Sequence, residues 1–290
     1  MQTKRSLIRL LSAVVLLGAL SGCEPAILDS AGPVAASDRH IMLDAFAIML
    51  AIVVPVIAAT LAFAWWFRAG NSRAKYRPDW AYSGQLELLV WSVPTLAVIF
   101  LGGIAWIGSH AADPATPIGS DPPLRVEVVS LDWKWLFIYP DQGVASVNHL
   151  VVPAGRAVSL RLTSATVMNS FFVPQLGSQI YTMAGMTTRL NWRADRTGRY
   201  RGLSANYSGS GFPGMALAVD AVTPDQFARW IQGAKAGAQI LDGAAYAGLL
   251  RPSRNVAPYT YRAVAPGLFD AIVRDAGTRT AQTAVDGRGN

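Results

Sequence analysis

The sequence predicts a two-helix transmembrane hairpin, then an all-β sandwich or Greek-key barrel, then a short helical C-terminal extension. Two long uncharged apolar runs lie within the first 110 residues. The chain beyond them breaks into short strand-like runs separated by turn signals. After Val222 apolar residues return at helical spacing.

Residues 1–22 read as a secretory leader. Lys4, Arg5 and Arg9 precede the apolar run Leu10 to Leu20, and small residues follow it. The ending Leu20-Ser-Gly-Cys23 resembles a bacterial lipobox, in which the cysteine thiolate takes the lipid and becomes the first residue of a palmitate-bearing lipoprotein. Cys23 is the only cysteine, so no intrachain disulfide can form.

Residues 23–112 contain the hairpin. Ala45 to Phe67 runs 23 residues without a charge and Leu88 to Ser109 runs 22. Each is longer than the roughly 20 residues that cross a hydrocarbon core of about 30 Å as a helix. Pro55 and Pro94 break soluble helices but are tolerated in bilayer helices. Trp65, Trp66 and Trp106 sit near span ends, where indoles favour the headgroup layer. Arg68, Arg73, Lys75 and Arg77 place the connecting loop, 68–87, in the cytoplasm and the C-terminal domain outside it. The formal net charge of +7 falls to +4 without the leader, and the loop region carries most of the remainder. No basic cluster interleaved with aromatics follows, which excludes nucleic acid as a partner.

A Pro/Gly-containing linker, 113–124, leads to the β domain, 125–222. Its strand-like runs are Arg125 to Leu131, Trp135 to Tyr139, Val147 to Val152, Ala157 to Thr163, Phe171 to Val173, Arg189 to Trp192 and Met215 to Val222. In the first, Val126, Val128 and Leu131 read as inward. The turns include Pro140-Asp-Gln-Gly143, Pro153-Ala-Gly155 and Arg196-Thr-Gly198. In the extension, 223–276, Thr223-Pro-Asp225 marks a helix start, with Phe227, Trp230 and Ile231 on one face. Further helices are expected over Ala244 to Leu250 and Leu268 to Arg274. Residues 277–290 are polar and read as a disordered tail.

Three motifs carry a family resemblance: Val128-Val-Ser-Leu-Asp-Trp-Lys-Trp-Leu-Phe-Ile-Tyr-Pro140, Val167-Met-Asn-Ser-Phe-Phe-Val-Pro174 with its continuation to Met183-Ala-Gly-Met186, and Ser204-Ala-Asn-Tyr-Ser-Gly-Ser-Gly-Phe-Pro-Gly-Met215. Together with the lipobox and both spans they resemble the cytochrome o-type ubiquinol oxidase branch of the cytochrome c oxidase subunit II family, over most of the chain. The resemblance implies a cupredoxin-like barrel. Copper-bearing relatives have a loop Cys-x-Glu-x-Cys-x-x-x-His-x-x-Met, with another His upstream. Here the corresponding positions are Ser204, Asn206, Ser208, Phe212 and Met215, with Asn169 upstream, and only the Met is retained.

Hydroxyls and amides are poor replacements for the soft thiolates and imidazoles that hold a two-copper centre, so the domain is expected to be metal-free. His40, His110 and His149 lie outside these loops. Met183 and Met186 are read as barrel packing rather than ligands, and Trp133 and Trp135 as core or subunit-interface packing. The resemblance further implies haems and copper in subunit I, ubiquinol as the substrate of the complex, and partnership with subunit I and the other oxidase subunits. Cytochrome c is not expected as a donor, and the chain itself holds no catalytic residue. Glu87 keeps the family's seven-residue separation from Pro94 and is a candidate for proton entry. Such a chain belongs in the bacterial inner membrane. A copper-containing cytochrome c oxidase subunit and a stand-alone cupredoxin-like lipoprotein are the competing readings.

Overall fold

The first described elements are two helices long and apolar enough to cross a membrane. The computed structural model covers residues 26–75 and 77–286, the stretch 280–286 as backbone only. The leader and Cys23 lie outside the described residues. Helix α1, Pro33–Trp66, starts on a proline, whose missing N–H is no loss in a first turn. Its 34 residues amount to about 51 Å, well beyond a hydrocarbon core, so the end bearing Asp38, Arg39 and Asp44 projects past the apolar run. Helix α2, Gly84–Ala111, packs beside it with Gly108 against Ile41. Leu61 is 66% exposed and Leu88 71%, the reverse of a soluble core hairpin.

The β domain is built from β1 (Leu124–Leu131), β2 (Lys134–Tyr139), β3 (Val144–Val147), β4 (His149–Pro153), β5 (Ala157–Ser164), β6 (Asn169–Phe172), β7 (Ile180–Thr182), β8 (Thr188–Arg193), β9 (Gly198–Ser204) and β10 (Ala216–Val222). The extension adds α3 (Pro224–Lys235), β11 (Ile240–Leu241), α4 (Gly243–Leu249), β12 (Tyr259–Tyr261), β13 (Ala263–Val264) and α5 (Leu268–Asp286). One sheet runs β12-β3-β2-β1-β5-β8 and the other β4-β10-β9-β6-β7. Within these two sheets neighbours are antiparallel except β1 with β5 and β10 with β4, and β11 and β13 form a separate parallel pair.

Between the sheets lies a core that includes Trp135, Phe137, Tyr139, Phe171 and Trp192. A second core covers the outer face of the larger sheet, where Val129, Leu131, Leu136 and Ile138 meet Leu241, Leu249, Phe269 and Ile272 of the extension. Leu131 therefore faces this second layer rather than the interior with Val126 and Val128. Every residue of β2 is buried for the same reason, since both its faces are covered.

The run Val147 to Val152 is divided at Asn148, which adopts φ 56° and sends β3 and β4 to different sheets. Its side chain holds the bend: Oδ1 accepts from Trp135 N at 2.8 Å, and Nδ2 donates to Val256 O at 2.8 Å. Helix α5 does not end near Arg274. It continues through Gly277 to Asp286, where the sequence reads as a tail. Phe269, Ile272 and Ala276 are buried along one face, and Arg279 Nη2 donates to Ala165 O at 3.2 Å. Packing on the sheet offsets the low helical tendency of the polar sequence.

The projecting end of α1 is stitched to the β domain. Ala31 N donates to Gln175 O and Asp195 N to Ala31 O, both at 2.7 Å. Ser178 Oγ donates to Asp38 Oδ2 at 2.8 Å. The Arg196 guanidinium, 2.8 Å from the Asp29 carboxylate, holds that acid below the usual carboxylate range.

Candidate functional site

Pairing of β6 with β9 brings the two motif regions together, with Phe171 opposite Ser204. Asn169, at the start of β6, and Ser204, at the end of β9, are both buried. Ser204 Oγ lies 3.1 Å from Asn169 Oδ1 and 3.2 Å from Asn206 O. Asn169 Nδ2 donates to Ser130 Oγ at 3.4 Å and to Val167 O at 3.3 Å. Ser130 Oγ meets Thr182 Oγ1 at 3.0 Å. These groups form a buried polar chain across β1, β6, β7 and β9.

The remaining loop positions close around it. Asn206 Nδ2 donates to Met168 O at 3.1 Å, and Ser208 Oγ approaches the buried Met215 thioether at 3.9 Å. Phe212 packs edge-on against Tyr207, centroids 5.7 Å apart, and starts a short 3-10 turn, Phe212–Gly214. Trp133 donates from Nε1 to Ser208 O at 2.9 Å. Its ring lies so close to Gly211 that a Cβ there would sit 2.2 Å from Trp133 Cδ2, which only glycine permits.

Asn169, Ser204, Asn206, Ser208, Phe212 and Met215 thus gather at one place, and their chemistry is that of a neutral hydrogen-bonded plug. Thiolate and imidazole are missing from the set, and its amides and hydroxyls bond mainly to one another and to backbone. A two-copper centre needs soft, charge-bearing ligands, so these residues do not fit one. Among the described residues no cluster of three or more His, Cys, Asp or Glu side chains has metal-holding geometry.

The histidines lie elsewhere. His149 Nε2 pairs with Asp220 at 2.8 Å on the outer face of the smaller sheet. His110 Nδ1 contacts Trp106 O at 2.8 Å near the end of α2, and His40 is exposed on α1. Trp135 is fully buried, whereas Trp133 is half-buried on the loop. Met183 is half-buried, but Met186 is 53% exposed, so its side chain does not fill the barrel. Glu87 lies exposed in the first turn of α2, with Oε2 accepting from Trp91 Nε1 at 3.1 Å.

Sequence reading missed Ser130 and Thr182, polar residues at inward strand positions. It also passed over Lys134, a charge inside the apolar run Trp133 to Tyr139. That lysine is 2% exposed, and burial pushes its ammonium pKa down.

Residues 141–222 match the family described as "Cytochrome C oxidase subunit II, periplasmic domain", and 235–275 match "COX Aromatic Rich Motif". The chain is 45% identical to cytochrome bo(3) ubiquinol oxidase subunit 2 of Pseudomonas aeruginosa, over 88% of this chain and 77% of that one. It is 44% identical to the Pseudomonas putida protein of the same name, over 93% and 87%. To ubiquinol oxidase subunit 2 of Acetobacter aceti it is 44% identical, over 91% and 89%.

The chain belongs to the ubiquinol oxidase subunit 2 family. Its β domain has the cupredoxin-like fold of that family's periplasmic domain. The extension's side of the second core falls within the aromatic-rich match: Leu241, Leu249, Tyr261, Phe269 and Ile272 all lie in it. In this chain the six positions named above gather in a closed plug.

Proposed function

We propose that this chain is subunit II of a proton-translocating terminal oxidase that oxidises ubiquinol and reduces oxygen to water, and that it serves the complex as scaffold. The observation that carries this reading is the plug at Asn169, Ser204, Asn206, Ser208, Phe212 and Met215. It keeps the spacing of a ligand loop and lacks the thiolate and imidazole ligands. Electrons then reach the complex from quinol in the membrane, and haems and copper reside in subunit I. Soluble cytochrome c is not a donor on this reading.

The chain's own residues brace and position. Helices α1 and α2 cross the bacterial inner membrane and pack on subunit I, with loop 68–87 in the cytoplasm. The β domain, 125–222, stands in the periplasm with the extension folded onto it. Removal of 1–22 leaves Cys23 as the lipid-bearing first residue. Glu87, at the cytoplasmic end of α2 and bonded to the Trp91 indole, exchanges protons with water at the mouth of an uptake path in subunit I.

The test is oxygen consumption by the purified complex with ubiquinol or reduced cytochrome c as donor, alongside copper analysis of this chain. The expected result is turnover with quinol alone and no copper in the β domain. Two coppers per β domain, or comparable turnover with cytochrome c, would overturn the reading. So would a chain that never co-purifies with haem.

A further inference from the structure

Between α4 and β12 the chain joins neither large sheet, yet it is held tightly where it crosses the 204–215 loop. Lys134 Nζ donates to Arg251 O at 2.9 Å, to Ser253 Oγ at 2.7 Å and to Asp132 O at 3.1 Å. Ser253 N donates to the same Asp132 carbonyl at 3.0 Å, and Val256 O is held by Asn148 Nδ2. Between these anchors the segment touches the loop itself. Arg254 Nη2 donates to Ser210 Oγ at 2.6 Å, and its guanidinium lies 5.3 Å from the Trp133 ring centroid. Asn255, at φ 52°, lies against Gly214, where a Cβ would meet Asn255 Oδ1 at 2.4 Å.

The loop needs such support. Gly209, Gly211 and Gly214 give it more backbone freedom to lose than most sequences have. Besides Ser204 N to Met215 O at 3.4 Å across its base, its internal backbone bonds are those of a short turn: Phe212 N to Gly209 O and Gly214 N to Gly211 O at 3.1 Å, and Met215 N to Phe212 O at 3.0 Å. In a metal centre the ion would hold such a loop by binding several of its residues at once. Here Trp133 covers the loop from one side and Arg254 covers Trp133. Lys134, next to Trp133 in sequence, fixes the backbone that presents Arg254. Loss of the ammonium would take the shared donor from two part-buried carbonyls and a hydroxyl, with Asp132 O keeping only Ser253 N.

We propose that Arg251–Val256 is a clamp that keeps the 204–215 loop closed in place of a metal ion, and that Lys134 is the positioning residue that fixes the clamp to the barrel. The proposal rests on the reading of the loop as copper-free. The clamp ties the C-terminal extension to the loop, so order in one depends on order in the other.

Hydrogen–deuterium exchange of this chain in the purified oxidase complex tests it, using Lys134→Met and Arg254→Ala with copper measured on the same samples. Amides of residues 209–215 are expected to exchange about tenfold faster or more in both variants, while the β1–β5 ladder keeps its protection. Arg254→Ala alters an exposed side chain and gives the answer even where Lys134→Met does not assemble. Unchanged loop exchange in a copper-free chain overturns the clamp alone, as does acceleration spread evenly over the barrel. Two coppers per chain overturn the metal-free reading itself, whatever the exchange rates.

Discussion

Asn169 and Ser204 occupy the buried centre of the plug, where each polar atom depends on a neighbour. Asn169 links Ser204 on one side to Ser130 and, through it, Thr182 on the other. Replacing it with Leu keeps much of the volume but takes one partner from each of the Ser204 and Ser130 hydroxyls, leaving them Asn206 O and Thr182 Oγ1. Asn169→Leu is expected to destabilise the β domain by about 0.5–1.5 kcal/mol, the usual net worth of a lost hydrogen bond. A lower urea midpoint in tryptophan fluorescence would show it, and an unchanged midpoint would mean the network contributes nothing. The spacing of the motif made Ser204, Asn206, Ser208, Phe212 and Met215 legible as one set. Ser130, Thr182 and Lys134 were not legible, because their roles depend on strand pairing between distant segments. Lys134 meets acceptors 117 and 119 residues further along.

At the scale of elements, Arg161 shows how the extension is fixed to the larger sheet. From β5 it donates to Glu127 of β1 at 3.1 Å and to Asp270 of α5 at 2.9 Å, and its guanidinium lies 4.8 Å from the Phe269 ring centroid. Burial pushes the Glu127 carboxyl up despite Arg161, and Asp270 adds to the effect. The folded state therefore holds this proton more tightly than the unfolded chain. Its contribution to stability is full below the ordinary carboxylate value of 4.5 and is lost as pH rises through the raised folded value. Glu127→Gln is expected to flatten that part of the stability–pH curve, measured by urea unfolding across the interval. An equal slope in the variant would remove Glu127 as its source.

Most strands and all three C-terminal helices were legible as local patterns. β7 and β9 were not. β7 has three residues, and β9, Gly-Arg-Tyr-Arg-Gly-Leu-Ser, presents outward arginines and two glycines that read as turn. The length of α5 was hidden because the sequence past Arg274 is polar, and the contacts that continue the helix there, buried Ala276 and Arg279 with Ala165 O, are tertiary.

For the whole molecule, the start of α1 is docked on the β domain. The chain from Asp29 to Asp38 is bonded to Gln175, Ser178, Asp195 and Arg196, so the start of α1 and the barrel behave as one body. Cys23 lies only a few residues before this docked stretch. Cys23→Ala is expected to abolish incorporation of radiolabelled palmitate while the chain stays in the membrane after alkaline carbonate extraction, because α1 and α2 suffice to hold it. Release of the variant by carbonate would show that the helices are not spans.

Sequence alone determined the apolar runs, the basic loop between them, the order of motifs and the residue types at the six loop and upstream positions. Each is a property of residue type and spacing along the chain. The tertiary structure decided that those positions meet in a hydrogen-bonded plug, that Trp133 lies on it, and that the extension both covers the larger sheet and straps the loop. These are contacts between residues far apart in the chain, formed when two sheets and a helical layer bury a common apolar surface, and no local pattern encodes them.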